Sequence, residues 1–321
     1  MSGRTRRRFL QAAGVAGLAG LAGCGGGGGG PGNGGNQIQL TWLVAAGNPL
    51  YERIGTELTA LVEANTGFGA LLETSESVGD VVALLTGNNA EYAILPADVA
   101  SFARNGVVVE AFRGSAAESL RGVMALFPES LSIVARADAE VETLADLEGQ
   151  RVVAAGGTGA LRANVERLLD AAGVAVGSLD TASLDEGTAA VADGEAAAVV
   201  TVGTWPQATL ADLAAETDIR LVPVTGETRE SLLANTPWLV ADTIPAGVYE
   251  GVDRATRTVA RNVVVVTTAG RERAEVRRLV IRVFDNLGSV ETRASELSRE
   301  RAMGAMGIQP HEGAASAYRQ Y

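Results

Sequence analysis

Short apolar runs alternate with amphipathic helical patterns along most of this chain. That alternation constrains the fold more than any single motif. "QIQLTWLVA" (37–45), "YAILP" (92–96), "LSIVARAD" (131–138), "RVVAA" (151–155), "AAAVVTVG" (196–203), "IRLVPV" (219–224) and "RNVVVVTT" (261–268) read as strands. Between them, Tyr51, Ile54, Leu58, Leu61 and Val62 share one helix face, as do Leu161, Val165, Leu168 and Leu169. A final long helix carries Val276, Leu279, Val280, Val283, Phe284 and Leu287. Ser77 and Asp80 form a capping pair that opens another helix, and "LADLEGQ" (144–150) is a helical turn. The pattern predicts βαβ units and parallel sheets covered on both faces.

The 321 residues suffice for about two domains, and 47% apolar content is ample for their cores. Aromatics are only 4%, so Val, Leu and Ala must fill the interior. Cys24 and His311 are single, which excludes an intramolecular disulfide and a Cys/His zinc site. The net charge is −12 and there is no Lys. Without residues 1–23, 22 Arg face 38 acids, a net of −16. Such a surface is poor for nucleic acid, which needs basic phosphate contacts. It suits high salt, where self-repulsion is screened, and points to a halophilic source; a GC-rich genome alone would also favour Arg, Ala and Gly.

"TRRRFLQ" (5–11) precedes an apolar run from Ala12 to Gly23 that is too short to span a bilayer. Basic region, apolar region and small residues make the layout of a signal peptide, residues 1–23. Arg6–Arg7 with Phe9–Leu10 resembles a twin-arginine signal, and "LAGC" (21–24) resembles a lipobox, whose Cys24 would be lipidated and become the mature N-terminus. An uncleaved anchor is the alternative, and it would leave the outward location unchanged. "GGGGGGPGNGGN" (25–36) buries nothing and has the backbone entropy of glycine against it, so residues 24–36 read as a tether.

"AAGGTGALRANVERLL" (154–169) places a glycine turn between a strand and a helix, the context of an anion site. The nucleotide signatures fail here. Arg162 stands where a dinucleotide fingerprint has its third Gly, and no Lys-Ser/Thr follows as in a phosphate loop. "GxSxG" is absent, and no nucleophile, base and orienter lie at workable spacing, which argues against a secreted hydrolase.

Six stretches occur in an order that resembles the TAXI family of TRAP-transporter solute receptors: "GNNAEYAILPADVASFARNG" (87–106), "LFPESLSIVARAD" (126–138), "LADLEGQRVVAAGGTGALRANVERLLDAAG" (144–173), "TDIRLVPV" (217–224), "IPAGVYEG" (244–251) and "PHEGAASAYRQY" (310–321). The similarity covers nearly all of residues 40–321. It implies an α/β, two-lobed type II solute-binding fold with a ligand cleft between lobes joined by hinge strands. Residues 37–130 plus 245–321 would form lobe 1, and residues 131–244 lobe 2. It further implies a small carboxylate ligand such as glutamate, glutamine or 2-oxoglutarate, and delivery to a multi-span TRAP membrane permease. The chain departs from the family pattern in its first loop, "AAGNPLYERIG", and in "TSES" (74–77), which adds Glu76.

On this reading Gly157, Thr158 and Gly159 cradle a carboxylate, with Thr158 equally an N-cap and Arg162 either a bidentate partner or a solvated surface residue. Asn48, Tyr51, Thr74, Ser75 and Ser77 reach in from the first lobe, Ser77 doubling as a cap. Thr201, Thr204 and Trp205 end a second-lobe strand, where open α/β sheets bind ligands; Trp205 is equally plain packing. Asp98 reads as a turn or cap residue, and His311 as a C-terminal turn residue. Glu76 repels a plain diacid but pairs with an amine, which favours an amino acid. No cofactor, metal or catalytic residue is expected. The expected protein is a monomer on the outer face of the membrane, held there by lipid; a sensor of the same fold is the alternative.

Overall fold

The computed structural model describes residues 38–156, 159–293 and 296–320. The expected signal peptide, the expected lipidation site Cys24, the expected tether, Gly157 and Thr158 lie outside the described residues. In chain order the elements are β1 Gln39–Ala45, α1 Pro49–Thr66, β2 Gly69–Ser75, α2 Val78–Thr86, β3 Tyr92–Pro96 and α3 Ala97–Asn105. A 17-residue strand follows, β4 Leu120–Arg136, then β5 Arg151–Ala155, α4 Gly159–Ala172, β6 Ser178–Ala182, α5 Leu184–Ala192, β7 Ala198–Gly203 and α6 Ala208–Glu216. The chain continues with β8 Ile219–Leu221, α7 Gly226–Asn235, β9 Leu239–Ile244, β10 Thr256–Thr268, α8 Arg273–Asp285, α9 Arg299–Ala302 and α10 Glu312–Tyr318.

The strands make one ten-stranded sheet in the order β2-β1-β3-β10-β4-β7-β5-β6, with β8 beside β4 and β9 beside β10. The expected parallel pairing is found in the two wings, which two long antiparallel strands join into one mixed sheet. β1, β2 and β3 are parallel in one wing and β5, β6 and β7 in the other, but the long strands β4 and β10 run antiparallel between them. The run at 131–138 is the second half of β4; Pro128 stays in the ladder opposite Asn262, so the strand does not begin afresh after it.

Helices cover both faces, which is why the strands read as near-continuous apolar runs. In β1, Leu40, Trp42 and Val44 join the core under α1 and α8, while Leu43 joins the core under α2 and α3. In β5, Val152 and Ala154 pack beneath α4, while Val153 and Ala155 pack with α5 and α6. The period of two separates the faces in both wings. Helix ends follow the local chemistry. Asn48 accepts from the N–H groups of Leu50 and Tyr51 to cap α1, and Ser77 accepts from Asp80 N to cap α2. α1 ends at Gly67 with φ +79°, a left-handed C-cap.

Candidate functional site

The two wings end their parallel strands on the same short stretch of the crossing strands. Pro96, the last residue of β3, pairs with Val263 of β10; Gly203, the last of β7, pairs with Ser130 of β4. Open α/β sheets bind ligands beyond such strand ends. Here the crossing strands turn polar in mid-run: Glu129, Ser130 and Ser132 on β4, Thr258, Arg261 and Asn262 on β10, all but Arg261 buried.

Glu129 and Arg261 face each other in the ladder. Arg261 Nε donates to Glu129 Oε2 at 3.0 Å, and Nη2 lies 2.9 Å from the same oxygen. Nη1 donates to both oxygens of Asp98, at 3.1 and 2.8 Å. Asp98 sits in the first turn of α3 and is fully buried. Tyr51 OH donates to Glu129 Oε1 at 3.0 Å. On the far side, Asn164 Nδ2 of α4 donates to Asp98 Oδ2 at 2.7 Å, and Trp238 Nε1 donates to Asn164 Oδ1 at 3.1 Å. Burial opposes the guanidinium charge, but Asp98 and Glu129 more than offset it and hold Arg261 above its ordinary value. Burial, reinforced by Glu129, pushes the Tyr51 phenol well up, so it stays a neutral donor.

Two carboxylates meet one guanidinium, leaving one surplus negative charge. The surplus suits an ammonium group. The guanidinium meets the two carboxylates through all three of its nitrogens, in four N···O contacts. A cavity of about 20 Å³, room for roughly one water, borders Arg261 and Asn164 among aliphatic side chains.

Of the residues expected from sequence, Tyr51 joins this cluster directly. Asn48 is spent on capping α1, and Ser77 on capping α2. Thr74, Ser75 and Glu76 line an open surface dish with Asp80, Thr74 and Glu76 being exposed. Gly156, which precedes the expected cradle, lies beside Thr201: a Cβ there would lie 3.6 Å from Thr201 Oγ1, and Thr201 faces Gln207 Oε1 at 3.4 Å. Gly159 is exposed at the start of α4. Thr204 and Trp205 are half-buried after β7, Trp205 packing against the core under α5 and α6. Arg162 finds its partners on β6 and on its own helix. It donates to Leu179 O on β6 and pairs with Glu166 at 2.9 Å, one helical turn on, so its charge is already engaged. Asp98 is more than a turn residue: it accepts from Val99 N at 2.8 Å and also anchors Arg261. His311 does cap α10, its Nδ1 accepting from Gly313 N.

Sequence reasoning missed Glu129, Arg261, Asn164 and Trp238. The first two carried a usable signal, since each is a charge inside an apolar strand pattern, "LFPESLSIVAR" and "TVARNVVVV". Asn164 and Trp238 carried none.

The fold is similar to a TctC solute binding protein from Polaromonas solved without ligand, with a TM-score of 0.54 and 12% identity over 89% of this chain and 97% of that one. It is also similar to a protein from Xanthomonas citri solved bound to ATP, with a TM-score of 0.50 and 11% identity over 88% and 95% of the two chains. These likenesses show the architecture, a mixed α/β type II periplasmic solute-binding fold. Among the described residues no helix is long and apolar enough to cross a membrane. A family model matches residues 45–320, well over half of the chain, and the chain belongs to the NMT1-like family.

Proposed function

We propose that this chain is a lipid-anchored extracytoplasmic receptor of a TRAP transporter of the TAXI type, which captures a small amino acid or related carboxylate and hands it to a membrane permease. One observation carries the ligand class: the Asp98–Glu129–Arg261 cluster at the line where both wings end their strands. Its surplus acid matches the ammonium of a zwitterion, and its guanidinium matches the carboxylate. The preference for an amino acid over a plain diacid thus rests on Asp98 and Glu129, since Glu76 stands exposed elsewhere. The two wings serve as the lobes, residues 37–130 with 245–321 and residues 131–244, and β4 and β10 as the hinge. Thr201 and the glycine turn offer further polar groups from the second lobe. The lipobox and the twin-arginine pattern support the outward location and the anchor.

Calorimetry at high salt with glutamate, glutamine, 2-oxoglutarate and succinate, guided by native mass spectrometry for a co-purified small molecule, tests this. An amino acid should bind tightest, and Tyr51→Phe, which leaves Glu129 Oε1 unpaired, should weaken it. Tighter binding of succinate than of any amino acid overturns the zwitterion assignment. Binding of no carboxylate overturns the ligand class.

A further inference from the structure

We propose that the outward face of α8 docks on an anionic lipid surface. Arg273, Arg277, Arg278 and Arg282 lie on this one helix, three of them exposed and Arg277 half-buried. At 100° per residue, Arg273 and Arg277 form one rim of the outer face and Arg278 and Arg282 the other, with Ala274 and Ile281 between. The opposite face carries Val276, Leu279, Val280 and Val283 into the core. None of the four arginines takes part in an ion pair among the described residues. Glu272 is the one acid lining the groove they form with Ser316 of α10. On a chain whose acids outnumber its arginines 38 to 26, a four-arginine face needs a reason.

The position of the face supplies one. Arg278 stacks on the Phe68 ring at 5.4 Å, the next residue Gly69 donates from its N–H to Ile38 O at 2.9 Å, and Ile38 leads into β1. The described fold therefore begins beside the arginine face, at the opposite end of β1 from Asn48 and Tyr51. Ile38 is itself 57% exposed there. If Cys24 carries lipid, the covalent path to Ile38 spans at most about 50 Å fully extended. That holds this end of the fold near the headgroups, where guanidinium groups pair with lipid phosphates and Ile281 meets the interface.

The orientation argument rests on the lipid-anchored reading, so the two are tested separately. Intact mass of the native protein reports whether Cys24 is lipidated. The unlipidated chain from residue 24, with Cys24→Ser, is floated with vesicles of phosphatidylcholine, with and without phosphatidylglycerol, at the lowest salt at which circular dichroism shows it folded. Phosphatidylglycerol should raise binding. Arg273→Gln/Arg277→Gln and Arg278→Gln/Arg282→Gln should each lower it by roughly 30-fold, about fivefold per arginine. Glu272→Gln should raise it. The Arg273/Arg277 pair leaves the Phe68 stack intact and keeps the test readable if the other pair unfolds. Equal binding to both vesicle types, or retained binding in a folded Arg273/Arg277 variant, overturns the proposal. So does a patch that binds inorganic phosphate or ATP but ignores vesicles. A chain without lipid on Cys24 that still prefers phosphatidylglycerol overturns only the anchor.

Discussion

Asn164 on α4 donates a 2.7 Å hydrogen bond to Asp98 on α3, and through it the second wing is latched to the first. Two further contacts close the same seam. Trp238 Nε1 donates to Asn164 Oδ1, and the Arg167 guanidinium lies 5.3 Å from the Phe102 ring and 5.1 Å from that of Trp238. Ala160, Ala163 and Trp238 come from the second stretch of the chain, yet they pack in the core under α2 and α3. A cavity with room for roughly one water borders Arg261 and Asn164 at this seam.

Asn164→Ala should therefore loosen the seam. It removes a bond to a buried carboxylate and leaves Trp238 Nε1 without its partner, a loss of about 1.5–3 kcal/mol. Urea unfolding should show a lower midpoint, and small-angle scattering of the folded variant a larger radius of gyration. Lost stability with an unchanged scattering profile would show that Asn164 only packs and does not latch.

Arg261→Met should be far more damaging. It strands Asp98 and Glu129, both buried, without their counter-charge, at a cost of about 3–5 kcal/mol. Removing all three charges together, as Asp98→Asn/Glu129→Gln/Arg261→Met, should recover much of that stability while abolishing solute binding. A single variant as stable as the parent would mean that the cluster is solvated and not the buried triad described.

His311 gives the fold an acid-side dependence. Its Nδ1 accepts from Gly313 N at 3.0 Å, so the neutral ring carries its proton on Nε2, 3.2 Å from Arg271 O. Burial holds the imidazole below its ordinary value near 6.5. The unfolded chain thus takes up the proton first. The His311 contribution is fully present above about pH 6.5 and is lost as the pH falls through the lower folded value. His311→Asn keeps a capping acceptor but does not titrate, so the stability difference between parent and variant should shrink towards acid. A difference constant from neutral to mildly acid pH would rule this out.

How far the fold was legible depends on where each residue's partner lies. The faces of α1 and α4 were readable because helical spacing is local, and Tyr51, Ile54, Leu161 and Val165 are all buried. β2 and β6 were not, since "GALLETS" and "SLDTA" are half-exposed strands whose apolar signal is weak. Glu129 shows why the site was harder. Its partner Arg261 is 132 residues away, and only the antiparallel register of β4 and β10 brings the two together. Arg162 shows the converse: its spacing from the glycine turn suggested a ligand contact, but Glu166 and Leu179 O take the guanidinium first.

Beyond residue 23, 22 arginines face 38 acids, and there is no lysine. Several of those arginines are already used inside the fold, Arg261 by Asp98 and Glu129 and Arg229 by the carbonyls of Thr258 and Asp242, so they neutralise little of the acidic surface. Repulsion among surface acids opposes the compact state, and it fades as the Debye length falls to about 3 Å at 1 M ionic strength. The melting temperature should rise from dilute buffer to molar KCl. The buried cluster is shielded from ions, so Arg261→Met should lower the melting temperature by a similar amount at both salts. A flat or falling salt curve for the parent would remove the halophilic reading, and an Arg261→Met deficit that vanishes at high salt would place the cluster in contact with solvent.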